Sequence, residues 1–335
     1  MKNQKIISRI SLLALIAAVS LTGIVNVYAE EDESPATESA AEDSAKEWWE
    51  YADADWAEDT VSLDTGIDLA YVTIGPEEGE PIVLIHGATD SRLSWAQVAP
   101  SLAEKGFRVY VPELRGHGKT DKPDPESGAY SIEDHVQDIL AFLDAAEIKS
   151  ANVAGHSLGS LIAQKLAAEA PDRVKSIILL GSGADLTQNP TLDWVLEGDG
   201  ETFEGVHGYD KEKALPDDFI KEWTATTNED EDFAAGIYAH AKGLPYEDWD
   251  YIFEGLKGYD NTKGLADIKQ RVLIIWGTGD EFFSADDQKD LKKDLVNAQE
   301  VRYEEIKDAS HNVHWDSQDI AEEVSALIAD FVSAD

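Results

Sequence analysis

Residues 150–171 read SANVAGHSLGSLIAQKLAAEAP. A short apolar run reaches Gly155, a tight cluster Gly155-His156-Ser157-Leu158-Gly159 follows, and an apolar stripe at Leu158, Leu161, Ile162 and Leu166 then continues as far as Pro171. The first piece has the length of a buried strand, and the second has the i, i+3, i+4, i+8 spacing of an amphipathic helix that stops at proline. A sharp turn between them lifts the Ser157 hydroxyl above a sheet, and the flanking glycines leave room for crowded backbone. A helix starting at Leu158 also directs its first N–H groups toward negative charge developing nearby. Without its strand–turn–helix setting, a G-x-S-x-G pattern is weak.

The same alternation extends outward in both directions. Apolar runs stand at 81–86, 107–112, 150–155, 174–180, 271–277 and 299–305, and a pair near 60–64 and 67–74 reads as a hairpin turning at Asp64-Thr65-Gly66. Helical patterns lie at 132–145, 284–295 and 317–332. Strands alternating with helices predict an α/β fold, with a mostly parallel eight-stranded sheet covered by helices on both faces. Residues 184–265 break the rhythm. They are acidic, hold no clear strand and are rich in aromatics such as Trp194, Phe203, Phe219, Trp223, Trp249 and Phe253. A structureless loop of that length is not expected in a compact domain, so the segment predicts an inserted helical cap. The core is then 59–183 and 266–335. Most of the cap aromatics are expected to hold the cap together rather than to touch substrate.

Three further segments carry groups that Ser157 would need. Acyl transfer requires two N–H donors aimed at the tetrahedral oxyanion. One is Leu158, and the other is Ala88 in Ile85-His86-Gly87-Ala88-Thr89-Asp90, after an earlier strand. His86 reads as an organiser of that loop. Gly277-Thr278-Gly279-Asp280-Glu281 places Asp280 at the end of a strand, with Glu281 an adjacent competitor and Asp185 a distant one. Asp308-Ala309-Ser310-His311-Asn312-Val313-His314 offers two histidines as the base that takes the serine proton and returns it. His311 is nearer the strand exit, and His314 precedes Trp315 and is expected to pack. The order Ser157, Asp280, His311 is that of a triad on a sheet of this kind.

With IHGATDSRLSW, PELRGHGKTDKP, GHSLGS, IWGTGDEFF and ASHNVHW in place, the chain resembles the α/β-hydrolase superfamily over residues 59–335, in the branch whose cap follows the sixth strand. The cap matches in position and length only. The resemblance implies Ser157 as nucleophile, Asp280 as acid, His311 as base, and Ala88 and Leu158 as oxyanion donors. Relatives that open epoxides or displace halide carry Asp at the elbow, where this chain has Ser157. Two departures stand out: Glu113 where the family often has Asp, and Asp308 and Ser310 where glycine is common. The expected activity is hydrolysis of carboxylic esters or lactones of small to medium, partly apolar acyl compounds through an acyl-enzyme. A cofactor-free perhydrolase or haloperoxidase-like enzyme and a carbon–carbon bond hydrolase share the triad. A ligand-binding homologue without turnover is the alternative from another class.

Several other chemistries fall away. There is no Cys, which excludes disulfides, thiolate metal sites and Cys nucleophiles. Gly118-Lys119-Thr120 lacks the upstream glycine of a phosphate loop, because Glu113 stands there, and Gly181-Ser182-Gly183 lacks its third glycine at Leu186. His311 and His314 lack the further His/Asp cluster of a metal site. No cofactor and no metal are therefore expected. Twenty-seven Lys plus Arg against 68 Asp plus Glu give a net charge of −41, which argues against a nucleic-acid partner. The charge is compatible with ordinary acidity or with adaptation to high salt, where screening removes self-repulsion. Lys2, Lys5 and Arg9 precede an apolar stretch ending at Val27-Tyr28-Ala29. Residues 1–29 thus read as a secretory signal peptide, and 30–58 as an acidic linker. The expected product is secreted, without stable membrane insertion after cleavage, and a monomer or homodimer.

Overall fold

The computed structural model describes residues 56–124, 129–201, 203–209 and 215–334 of the chain. The predicted signal peptide and nearly all of the predicted acidic linker lie outside them. Strands β1 (Ala57–Ser62) and β2 (Asp68–Ile74) form the expected hairpin, with Gly66 at φ +89° and Leu63 N–H donating to Ile67 O at 2.8 Å. β1 begins two residues before the predicted core boundary at 59. It is an edge strand whose Glu58, Asp59 and Thr60 are exposed, so no apolar alternation marks its start.

From there the chain runs β3 (Glu80–Ile85), α1 (Ala99–Glu104), β4 (Phe107–Pro112), α2 (Ile132–Ala145), β5 (Ala151–His156), α3 (Leu158–Glu169) and β6 (Val174–Leu180). α1 is too short for its two buried apolar residues, Ala99 and Leu102, to establish a period, which hides it in the sequence. Five helices follow: α4 (Pro190–Glu197), α5 (Gly205–Gly208), α6 (Asp217–Trp223), α7 (Glu231–Gly243) and α8 (Tyr246–Leu256). β7 (Arg271–Gly277), α9 (Ala285–Asp294), β8 (Glu300–Ile306) and α10 (Gln318–Ser333) complete the described chain. The eight-stranded sheet has the order β1-β2-β4-β3-β5-β6-β7-β8, antiparallel at β1-β2 and β2-β4 and parallel elsewhere.

The central strands read as unbroken apolar runs because both faces are covered. Val83 and Ile85 of β3, and Val272 and Ile274 of β7, face the side packed by α2, α3 and α9. Ile82, Leu84, Leu273 and Ile275 face the side packed by α1 and α10. All eight are fully buried, and burying an aliphatic side chain of this size stabilises the fold by about 1.5–3 kcal/mol. Among the described residues, no helix is long and apolar enough to cross a membrane.

Register decides what meets at the carboxyl ends of the strands. Ile85 pairs with Gly155 and His156 with Leu180, so the loop after β3 and the turn after β5 are neighbours. Gly277 pairs with Ile306, which brings the loops after β7 and β8 together. Ligands of open α/β sheets bind at this end of the strands.

Candidate active site

Ser157 sits between β5 and α3 at φ +49° and ψ −116°, a strained conformation for a non-glycine residue. The neighbours that force it there are visible. A Cβ on Gly155 would strike the Gly159 carbonyl and come within 2.6 Å of Ser160 N, and one on Gly159 would strike the carbonyls of Ile85 and His86. Ser157 N–H donates to Leu180 O at 3.0 Å, and its carbonyl accepts from Ser160 N–H and from Ser160 Oγ–H, at 2.9 and 2.6 Å. Below the turn lies a buried polar network that sequence reasoning missed. The Ser160 and Ser182 hydroxyls pair with one another, Gln164 Nε2–H donates to Ser182 Oγ and Gly183 O, Asn261 Nδ2–H to Gln164 Oε1, and Gln288 Nε2–H to Ser182 O. Most of its polar atoms are paired, Gln288 Oε1 being the exception, and the paired bonds fix the backbone they support.

Asp280 and His311, predicted from separate loops, are brought together. His311 Nδ1 lies 3.0 Å from Asp280 Oδ1, which also accepts from the Phe282 and Phe283 N–H groups at 2.8 and 2.9 Å. A carboxylate facing Nδ1 fixes the tautomer with the proton there and leaves Nε2 as the basic nitrogen. The His311 ring also packs near the Phe282 and Phe283 rings, and a Cβ on Gly181 would lie 3.0 Å from its Nδ1. Gly181 directly follows the Leu180 carbonyl that holds Ser157 N–H, so the imidazole stands next to the elbow. The competing acids are elsewhere. Asp185 accepts from Thr187 N–H and Oγ1–H, and Glu281 is exposed.

The departures from the family pattern have local explanations. Asp308 adopts φ +59°, a region glycine enters freely and Asp tolerates, and its N–H donates to Thr278 Oγ1 at 2.8 Å. Ser310 donates through N–H and Oγ–H to the two oxygens of Asp316. Glu113 is fully buried, 3.4 Å from Arg92 Nη1, and accepts from Lys119 N–H at 2.7 Å. Burial pushes its carboxyl up to about 7, against the pull of Arg92.

Around the oxyanion loop, His86 acts as the expected organiser. Its Nδ1 faces Gly87 O at 2.8 Å and its Nε2 accepts from Leu114 N–H at 3.0 Å, which together use both nitrogens of one neutral tautomer. Ala88 is half-buried beside it, and Leu158 opens α3, where an N–H has no intrahelical partner. His156, next to the nucleophile, was not singled out from sequence. Its Nε2 lies 3.0 Å from His311 O, its Nδ1 lies 3.6 Å from Asp90 Oδ2, and its ring packs on His314. His314 is fully buried against Trp95, His156 and Trp315, so it packs as expected and is not a base.

Burial pushes His314 well below the ordinary imidazole value of 6.5. The unfolded chain then takes up a proton that the folded state refuses, so stability from this residue is complete above 6.5 and is lost as pH falls below it. Compared with His314→Leu, the wild type is expected to lose about 1.4 kcal/mol for each pH unit below that value. Urea unfolding of both proteins at pH 7.5 and 5.5 measures the difference. A gap that stays constant between the two would contradict the buried, neutral assignment.

Comparison with known proteins follows the same lines. A family model described as alpha/beta hydrolase fold matches residues 80–318. A bifunctional epoxide hydrolase of Sus scrofa is 32% identical over 122 residues, which span 36% of this chain and 21% of that protein. A hydrolase of Pseudomonas aeruginosa superposes with a TM-score of 0.70 at 21% identity, covering 84% of this chain and all of the other. An enol-lactonase of Burkholderia xenovorans superposes with a TM-score of 0.66 at 25% identity, covering 82% of this chain and all of the other.

Proposed function

Since the chain belongs to the alpha/beta hydrolase family, we propose that it is a serine hydrolase that cleaves carboxylic esters or lactones through an acyl-enzyme. The observation that carries this is the 3.0 Å pairing of His311 Nδ1 with Asp280 Oδ1, in a loop packed beside the residue at φ +49°. In the proposed reaction His311 Nε2 takes the proton of Ser157 Oγ as the oxygen adds to the substrate carbonyl carbon. The carbonyl electrons move onto the oxygen, where the N–H groups of Ala88 and Leu158 meet the negative charge. Collapse of this intermediate expels the alkoxide, which takes the proton from His311. Water, deprotonated by the same nitrogen, then releases the acid and restores Ser157.

The enol-lactonase neighbour supports the inclusion of lactones, whose leaving alkoxide stays tethered to the acyl group. The epoxide-hydrolase relative does not transfer its chemistry readily, since position 157 offers a hydroxyl rather than a carboxylate. The substrate we infer is small to medium with apolar parts, under an aromatic-rich cap whose Trp194, Phe203, Phe219, Trp223, Trp249 and Phe253 hold one another in ring contact. The proposal also places the enzyme outside the cytoplasm, on the strength of residues 1–29 alone. A fluorophosphonate probe should label the full-length protein on the peptide containing Ser157, as read by mass spectrometry. Labelling elsewhere, or none, would remove the serine mechanism.

A further inference from the structure

The residue after the expected oxyanion donor is under strain. Thr89 has φ +60°, although a β-branched side chain disfavours that region. Inside the loop the backbone supplies a long bond, Asp90 N–H to Gly87 O at 3.4 Å. Both polar ends of Thr89 are held from the cap instead. Trp223 Nε1–H, at the end of α6, donates to Thr89 Oγ1 at 2.8 Å, and His240 of α7 places Nδ1 3.1 Å from Thr89 O. A carbonyl only accepts, so Nδ1 of His240 carries the hydrogen. Thr89 and His240 are both buried, which strengthens these bonds and makes their loss costly. Trp223 is itself braced by edge contacts with Trp249 and Phe253 of α8.

We propose that Trp223 and His240 are positioning residues for the oxyanion hole: by gripping Thr89 from above, the cap sets the direction of the Ala88 N–H. Resting on the reading of Ala88 as a donor, this ties catalytic competence to a seated cap. When the cap lifts, both bonds part, and Thr89 is free to leave its strained conformation. The site then holds substrate but stabilises the tetrahedral state poorly.

Trp223→Phe keeps a ring and removes the N–H, Thr89→Val keeps the shape and removes the acceptor, and Thr89→Ser keeps the hydroxyl. For the full-length protein on a p-nitrophenyl ester, the first two are expected to lower kcat about tenfold, a fraction of the cost of deleting a donor outright. KM should change less than kcat, and the double variant should be no slower than either single one, because the two changes delete one bond. Thr89→Ser should keep the wild-type rate. A trifluoromethyl ketone, which adds Ser157 Oγ to its carbonyl and leaves an oxyanion in the hole, should weaken by the same factor as kcat/KM. Losses confined to KM or thermal stability, or additive effects on kcat, would overturn the cap's role. Fluorophosphonate labelling of wild-type Ser157 separates the two levels. Labelling with unchanged kcat in Trp223→Phe and Thr89→Val overturns this inference alone, and absence of labelling overturns it together with the serine mechanism.

Discussion

Ser157→Ala is expected to lower kcat/KM for p-nitrophenyl butyrate by about 10⁴- to 10⁶-fold, leaving the small excess over water that binding and oxyanion donors supply by themselves. The size follows from the loss of a covalent route, since no other group can take the place of the hydroxyl at that turn. The turn itself should survive. Its bonds run through the Ser157 N–H and carbonyl, to Leu180 O and from Ser160, and alanine keeps both. Thermal melting by circular dichroism should therefore shift by no more than about 2–4 °C, the equivalent of roughly 1 kcal/mol in a domain of this size. Retention of activity on the order of a hundredth of wild type or more, in a protein free of contaminating esterase, would place the nucleophile elsewhere.

For Asp280→Asn we expect kcat to fall by about 10³- to 10⁴-fold. Oδ1 of Asp280 receives His311 Nδ1 and two backbone N–H groups, while its Oδ2 is buried without a hydrogen-bond partner. An asparagine must choose between two faults. With its oxygen toward the three donors, it buries an unsatisfied NH2 and removes the negative charge that stabilises the imidazolium. Turned over, it presents a donor to three donors, and the imidazole loses its orientation. Both orientations retain the volume, so the fold should hold while turnover collapses. Stopped-flow release of p-nitrophenol would show the loss already in acylation. A variant within tenfold of wild type would mean that another acid orients His311.

The catalytic candidates were legible because each is announced locally. Gly155 and Gly159 flank Ser157 in the space of a turn, Asp280 follows Gly277 and Gly279 at a strand end, and His311 follows the last strand. Helix and strand periods gave the sheet for the same reason. Local announcement ends where the chain doubles back on itself. Nothing near Trp223 points to Thr89, 134 positions away, and nothing near His156 points to the His311 carbonyl, 155 positions away. The polar network of Ser160, Gln164, Ser182, Asn261 and Gln288 is likewise assembled from four segments whose side chains look like surface residues in one dimension. The tryptophan neighbour of His314 separates it from His311, while His156 stands inside the serine motif and reads as filler. Edge strand β1 starts ahead of the expected run at 60–64 because its first residues, Glu58, Asp59 and Thr60, are exposed on both faces and carry no apolar alternation.

Where the cap leaves β6 and returns toward β7, the outgoing and incoming chains are laced together. Leu186 N–H donates to Tyr259 O and Asn261 N–H to Ala184 O, each at 2.8 Å, with a bridge between Asp185 and Asp260. An excursion that departs and comes home through one doorway keeps its two ends fixed whatever length of chain lies between them. Chain between Thr187 and Gly258 that leaves Trp223 and His240 seated on Thr89 can be lengthened with the threshold kept shut, because closing a longer loop costs only slowly more entropy. The doorway makes this molecule a host for grafting: new segments can be installed there while the sheet and its hydroxyl stay where they are, so long as the two side chains on Thr89 are kept.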